Sequence, residues 1–350
     1  MATIDDHGGW PALLTHLLDR NHLTAEQAQV VMATILSGEA TTAQIVAFLV
    51  ALRAKGESAD ELGGLLEAVL EYAALVPLTD AQRDTAIDIV GTGGDRSHSI
   101  NVSTMAALVC AGAGAPVLKH GNRGASSKCG AADVLEALGV AIELTPDGAR
   151  QALDRAGIAF CLAPAFHPAF RHAGPPRREI GIPTVFNVLG PMANPGRLRR
   201  YVIGVANAAF AERMVETLRL HGATHVWVVH GEGLDELSTT GPSHVVELRD
   251  GAVRRFDVDA TAYGFATVTL DALEGGDPAR NADVVRAVLG GQAGPHRDIV
   301  VLNAAAGLVV AGLADDLADG VGRAAAAIDS GAATAALERL VAESQAAVSA

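Results

Sequence analysis

Beyond residue 84 the chain repeats a pattern that leaves few folds open: a short apolar run, then glycine, then a stretch with helical periodicity. The runs cover residues 86–90, 116–118, 158–162, 201–205 and 225–229. Strands that alternate with helices form a largely parallel sheet with both faces covered, so the expected class is α/β. Such sheets bind ligands beyond the C-terminal ends of their strands, which directs attention to the residues after each run.

The N-terminal part reads differently. Thr24 with Gln27, Thr41 with Gln44 and Ser58 with Glu61 are capping boxes ahead of apolar-periodic runs, and Gly38 and Gly56 stand where the preceding helices should stop. The short connections at 38–40 and 55–57 pack neighbouring helices on one another, as in a small bundle. The segment 164–195, rich in Pro, Arg and His, departs from the strand–helix pattern and is expected to revisit that bundle. The expected organisation is a small, mostly helical N-terminal domain over 1–83, with a contribution from about 168–195. A larger α/β domain with a central sheet covers 84–167 and 196–350. Gly275-Gly276-Asp277 before Pro278 reads as a helix N-cap, and the alanine-rich tract 324–347 as helix.

Forty acids against 26 bases give a net charge of −14, which repels phosphate backbones and anionic membranes. No nucleic-acid or membrane partner is expected, although a local basic site can still bind a small anion. The three cysteines, Cys110, Cys129 and Cys161, lack CxxC spacing, so neither a disulfide framework nor a zinc site is indicated. The acidic start MATIDDHGGW is no signal peptide, and the apolar stretch 299–313 is interrupted by Asn303 and too short to span a bilayer. The expected location is the cytoplasm.

Four constellations carry chemistry. Gly91-Thr92-Gly93-Gly94-Asp95 lies between a strand and a helix starting near Asn101, where glycine backbone N–H groups and a helix N-terminus can face a phosphate. It is neither a Walker A loop nor the dinucleotide fingerprint, and a tight turn with an Asn cap explains it equally well alone. Lys119 to Lys128 crowds three cations, two hydroxyls and two glycines beside His120 and Asn122, a donor-rich loop facing an anion. Asp235-Glu236, just past a strand, suits magnesium, which takes one or two carboxylates plus substrate phosphates; by itself such a pair is more often solvated surface. Arg177, approached through Pro175-Pro176, suits bidentate recognition of a carboxylate, or equally an ion pair with Glu179.

In combination these pieces resemble the anthranilate phosphoribosyltransferase family of tryptophan biosynthesis. The matching segments are GTGGD at 91–95, NVST at 101–104, KHGNR at 119–123, ADVLEALG at 132–139 and TVFNVLGPMANP at 184–195, in an order and spacing that agree across about residues 10–345. The resemblance implies transfer of a phosphoribosyl group from phosphoribosyl pyrophosphate (PRPP) to the amine of anthranilate. PRPP would lie on Gly91, Gly94, Asp95, Ser99, Asn101, Val102, Ser103 and Thr104. It would also lie on Lys119, His120, Gly121, Asn122, Arg123, Gly124, Ala125, Ser126, Ser127 and Ala131. Anthranilate would contact Gly91, Asn122 and Arg177; Mg²⁺ would be held by Ser103, Asp235 and Glu236. His167 and Phe170 would line the route of the aromatic substrate. The family further implies a homodimer, and no dedicated general base, because the anthranilate amine is already unprotonated.

The chain departs from the family where Ala131 replaces a frequent Ser, Leu162 a frequent Phe, and Pro175-Pro176 precede Arg177. Alternatives are a sibling phosphoribosyltransferase or pyrimidine nucleoside phosphorylase-like enzyme with another acceptor, and a non-catalytic paralogue that binds nucleic acid or protein. Asn122, Arg123 and Arg177 favour a carboxylate-bearing acceptor; the acidic charge and the Ser103, Asp235 and Glu236 set speak against a binding-only role.

Overall fold

The computed structural model describes residues 2–95, 97–124 and 127–348. Its N-terminal helices are α1 (Gly9–Leu18), α2 (Ala25–Ser37), α3 (Thr42–Lys55), α4 (Ala59–Glu71) and α5 (Asp80–Thr85). Strand β1 (Ile87–Gly91), α6 (Val102–Gly112), β2 (Val117–Gly121), α7 (Ala131–Ala137), α8 (Pro146–Ala156) and β3 (Ile158–Leu162) follow. The excursion carries α9 (Ala163–Phe166), α10 (Gly174–Ile180) and α11 (Phe186–Met192). Then come β4 (Arg200–Gly204), α12 (Ala211–Leu220), β5 (His225–Gly231), β6 (Ser243–Arg249) and β7 (Ala252–Val258). Helices α13 (Pro278–Leu289), α14 (Pro295–Ala311), α15 (Leu317–Asp329) and α16 (Ala332–Val348) complete it.

All three capping boxes form: each Thr or Ser hydroxyl accepts from the N3 backbone, and each Gln or Glu side chain accepts from the N-cap backbone. A fourth, Thr79 with Gln82, starts α5. The 324–347 tract is two helices rather than one, because Gly331 takes the left-handed φ of 78° and turns the chain between them.

The sheet order is β3-β2-β1-β4-β5-β6-β7. The first five strands are parallel, while β6 and β7 are antiparallel additions that the apolar-run pattern did not reveal. β7 is an exposed edge whose Arg254, Arg255 and Asp257 break any apolar run. Strand β2 runs further than its apolar residues suggest. β2 continues through Lys119, His120 and Gly121, which pair with Phe160, Cys161 and Leu162, so the basic segment begins on a strand and not in a loop.

Strand alternation divides the core in two. Ile87, Ile89, Val117, Phe160, Val202 and Trp227 face α6, α7 and α13–α16. Val90, Leu118, Cys161, Tyr201, Ile203 and Val228 face the other way, where their cluster is continuous with the interior of α1–α4, α11 and α12. The helical bundle therefore rests on one face of the sheet. Among the described residues no helix is long and apolar enough to cross a membrane.

The strand ends that matter are Gly91 and Gly204, paired across β1 and β4. A Cβ on Gly204 would collide with the backbone carbonyl of Asp235, and one on Gly91 with the Asp235 carboxylate. Gly204→Ala should therefore cost about 1–3 kcal/mol, read as a lower urea midpoint. Gly190→Ala, whose Cβ would meet nothing within 4 Å, should leave that midpoint unchanged or raised. Equal midpoints for Gly204→Ala and wild type would show that the approach is not tight.

Candidate active site

Gly93 and Gly94 carry positive φ values of 64° and 82°, a conformation that turns successive N–H groups toward one side. The Gly93 N–H donates to Asp235 Oδ2 at 2.6 Å. Asp95 accepts from the Ser97 N–H, and the Ser97 hydroxyl donates to Ser99 Oγ at 3.1 Å. Ser99 bridges to Glu274, so the segment before α13 closes this loop from the side. Asn101 sits at the N-cap of α6 without capping it; its amide donates to the Cys129 carbonyl at 3.2 Å and accepts from Asn281 at 2.8 Å. The helix start is thereby left for other anions. The Ser103 N–H there donates to Glu236 Oε1 at 3.1 Å, while Val102 and Thr104 are buried.

Lys119 and His120 point to opposite faces of β2. The buried Lys119 Nζ donates to the Ile89 carbonyl at 2.5 Å and lies 3.4 Å from Ser103 Oγ. Burial pushes its pKa down, opposed by the negative charges of Asp88, Glu236 and Asp235. Beyond Gly121, Asn122 and Arg123 are exposed, and the Arg123 guanidinium is held by Asp133 at 3.0 Å and Glu136 at 2.8 Å. Asp133 also accepts from the Gly124 and Gly130 N–H groups, both at 2.8 Å, which pins the two ends of the loop. Ala125 and Ser126 lie outside the described residues. Ser127 donates to the Cys129 carbonyl, and Ala131 opens α7.

Leu234 and Leu237, both fully buried, bracket the acid pair and seat it in the core, while Asp235 and Glu236 keep part of their surface. Burial and the neighbouring Asp95 push Asp235 up to about 7. Burial and Asp235 push Glu236 well above the usual range, with Lys119 and the Ser103 N–H opposing. Asp235 and Glu236, with Asp88, thus converge on Lys119. Among the described residues no group of three or more His, Cys, Asp or Glu forms a metal cage. Two carboxylates that disfavour each other's ionisation, beside a hydroxyl, instead fit a hard cation that completes its shell with substrate oxygens.

Arg177, partly buried on α10, stacks over Phe186 at 4.7 Å from the ring centre and has no carboxylate partner among the described residues. Pro175 and Pro176 occupy the first turn of α10, a position that helices accept, and lead into Arg177 without breaking it. A row of rings joins this arginine to β2: Phe186–Phe170 at 5.4 Å, Phe170–His167 at 5.1 Å and His167–His120 at 5.1 Å. His120 Nδ1 bonds the Gly190 carbonyl at 3.2 Å and His167 Nε2 the Ala193 carbonyl at 2.9 Å. Their other ring nitrogens are buried without partners, which fits neutral imidazoles. Under them lies Asp88, which motif reading missed. It accepts from the His120 N–H at 3.2 Å and from Asn194 Nδ2 at 2.8 Å, and so ties the 190–196 turn to the sheet. A concavity of about 390 Å³ between α13 and residues 292–297 shares none of these residues.

Burial lowers His167 to about 4 and His120 to about 3, so the folded state binds fewer protons there than the unfolded chain does. Their contribution is complete above the unfolded value near 6.5 and is lost as pH falls below it, about 3 kcal/mol for His167 by pH 4. Urea unfolding of His167→Phe should lose that part of the acid slope; parallel slopes in wild type and variant would contradict it.

Residues 11–73 match the family model described as glycosyl transferase family, helical bundle domain, and residues 83–334 the corresponding a/b domain. An anthranilate phosphoribosyltransferase of Arthrobacter sp. (strain FB24) is 50% identical over 339 residues, covering 95% of each chain. The crystal structure of an anthranilate phosphoribosyltransferase from Thermus thermophilus superposes with a TM-score of 0.88 at 40% identity, covering 95% of this chain and 99% of that one. The Saccharomyces cerevisiae enzyme in complex with PRPP and Mg gives 0.87 at 27% identity, over 96% and 98%. The chain belongs to the anthranilate phosphoribosyltransferase family.

Proposed function

We propose that the protein transfers the phosphoribosyl group of PRPP to the amine of anthranilate, releasing pyrophosphate, with Mg²⁺ as cofactor. One observation carries this most directly: a glycine loop, a helix start and a buried lysine meet over two crowded carboxylates, and a ring row leads from there to an arginine with no acid partner among the described residues. PRPP is assigned to the Gly91–Asp95 loop, to Ser99 and Asn101–Thr104, and to the segment from Lys119 to Ser127 with Ala131. Mg²⁺ is assigned to Ser103, Asp235 and Glu236, and anthranilate to Gly91, Asn122 and Arg177. Arg123, engaged by Asp133 and Glu136, must exchange these partners to reach a phosphate.

The chain's task is chiefly positioning and charge. Displacement at the anomeric carbon passes through an oxocarbenium-like state, so the rate depends on taking up charge on the departing pyrophosphate. Lys119 and the loop N–H groups lie where that charge develops; Arg177 holds the acceptor carboxylate so that the amine lone pair faces the sugar. When bound, Mg²⁺ supplies charge stabilisation for the leaving group. The bundle and the sheet, meeting at the site, exclude water that would hydrolyse PRPP.

The division into a helical unit (1–83 with about 168–195) and an α/β unit is supported by the family-model boundary between residues 73 and 83 and by the packing of α10 on α3 and of α11 on α4. A homodimer is supported by Leu18 and Val50, large apolar side chains exposed on α1 and α3 that a second copy would cover. Three free cysteines favour the reducing cytoplasm. A pyrimidine acceptor would leave the Arg177 charge without a counter-ion.

Anthranilate fluorescence should fall when protein, PRPP and Mg²⁺ are combined, and stay constant without metal. Arg177→Ala should raise the anthranilate KM by tenfold or more, about 1.5–3 kcal/mol of charge-assisted bonding, with the PRPP KM little changed. Equal increases in both would remove Arg177 from the acceptor site.

A further inference from the structure

We propose that Asn303 is a positioning residue for the Asp235–Glu236 pair, holding it from beneath through the main chain of Leu237; this rests on the assignment of that pair to Mg²⁺. Helix α14 is buried along its whole length from Ile299 to Val310, and Asn303, fully buried, is its single side-chain amide there. An amide in such a place is costly unless every polar atom is engaged. All are engaged, chiefly with one residue. Asn303 Oδ1 accepts from the Leu237 N–H at 2.9 Å, and Nδ2 donates to the Leu237 carbonyl at 2.8 Å. The remaining Nδ2 hydrogen goes to the Ile299 carbonyl at 2.9 Å.

Leu237 lies in neither helix nor strand, so this amide does for its backbone what a neighbouring strand would do. On the other side of the pair, Gly231 and Leu234 exchange two backbone hydrogen bonds of 3.0 and 2.7 Å. Asp235 and Glu236 are therefore clamped at both ends, and Asn303 supplies the second clamp. It touches neither carboxylate. A leucine would fill similar volume on an otherwise apolar helix, so packing alone gives no reason for an amide; pairing with Leu237 does.

The test is calorimetric titration of Mg²⁺ into the full-length protein with PRPP present, on wild type, Asn303→Leu and Val301→Ala. Val301 is buried on the same helix, and its truncation controls for loss of stability alone. Asn303→Leu should weaken apparent Mg²⁺ affinity at least tenfold, while PRPP binding without metal stays within twofold of wild type and Val301→Ala keeps wild-type Mg²⁺ affinity. Should Asn303→Leu not fold, Asn303→Ala, which leaves room for water at Leu237, is read in the same way. A lower melting temperature with an unchanged Mg²⁺ titration overturns the proposal, as does an equal shift in Val301→Ala. If wild type itself shows no Mg²⁺ response, the metal assignment fails and takes this inference with it; if only the Asn303 variants match wild type, the inference alone fails.

Discussion

The site depends on one close approach: the backbone of Asp235 lies against Gly204 while its carboxylate lies over Gly91, with no space for a Cβ at either position. Those glycines end adjacent parallel strands, so the contact gathers the C-terminal ends of β1 and β4 and the segment after β5 at one point. Parallel sheets offer ligands their strand ends in any case. Here the glycines let a third piece of chain into that space, and it brings two carboxylates.

From that contact the electrostatics follow. Asp235 and Glu236 are crowded by each other and by Asp95, and among the described residues Lys119 is the buried cation drawn to them. The Gly93 and Ser103 N–H groups already point at the pair. The arrangement favours a cation on the acids and an anion on the surrounding donors, which together describe a metal-bound polyphosphate. At the other end of the ring row Arg177 is in the opposite condition, a partly buried cation lacking an acid. Within a chain of net charge −14, Arg177 is thus a partly buried cation with no acid partner among the described residues, placed where an acidic substrate would sit.

Much of this was legible in the sequence because its causes are local. Capping boxes, strand–glycine–helix alternation and the glycine loop each act within a few residues, and Thr24, Thr41 and Ser58 behave as their spacing implies. What stayed hidden depends on partners far along the chain. Asp88 and Asn194, 106 residues apart, form a buried pair that no spacing rule connects. Asn303 shows in the sequence as an interruption of an apolar run, yet its reason, Leu237, lies 66 residues earlier. Strand β7 is hidden because an exposed edge strand needs no apolar run, and β6 because the buried Glu247, held by His225 and Trp227, interrupts its apolar residues; Lys119 and His120 read as loop because their strand ends in polar residues. That Arg123 is engaged by two acids of α7 follows from helix placement, which periodicity alone does not give.

On this reading Asp235 and Glu236 are held together, against their mutual repulsion, so that a cation carrying the phosphates of PRPP can bind them. This is tested most directly by measuring PRPP affinity calorimetrically with and without Mg²⁺ in wild type and in the Asp235→Asn/Glu236→Gln double variant. Wild-type affinity should strengthen at least tenfold with Mg²⁺, and the double variant should bind PRPP with no metal dependence. A double variant that responds to Mg²⁺ as wild type does would contradict the account.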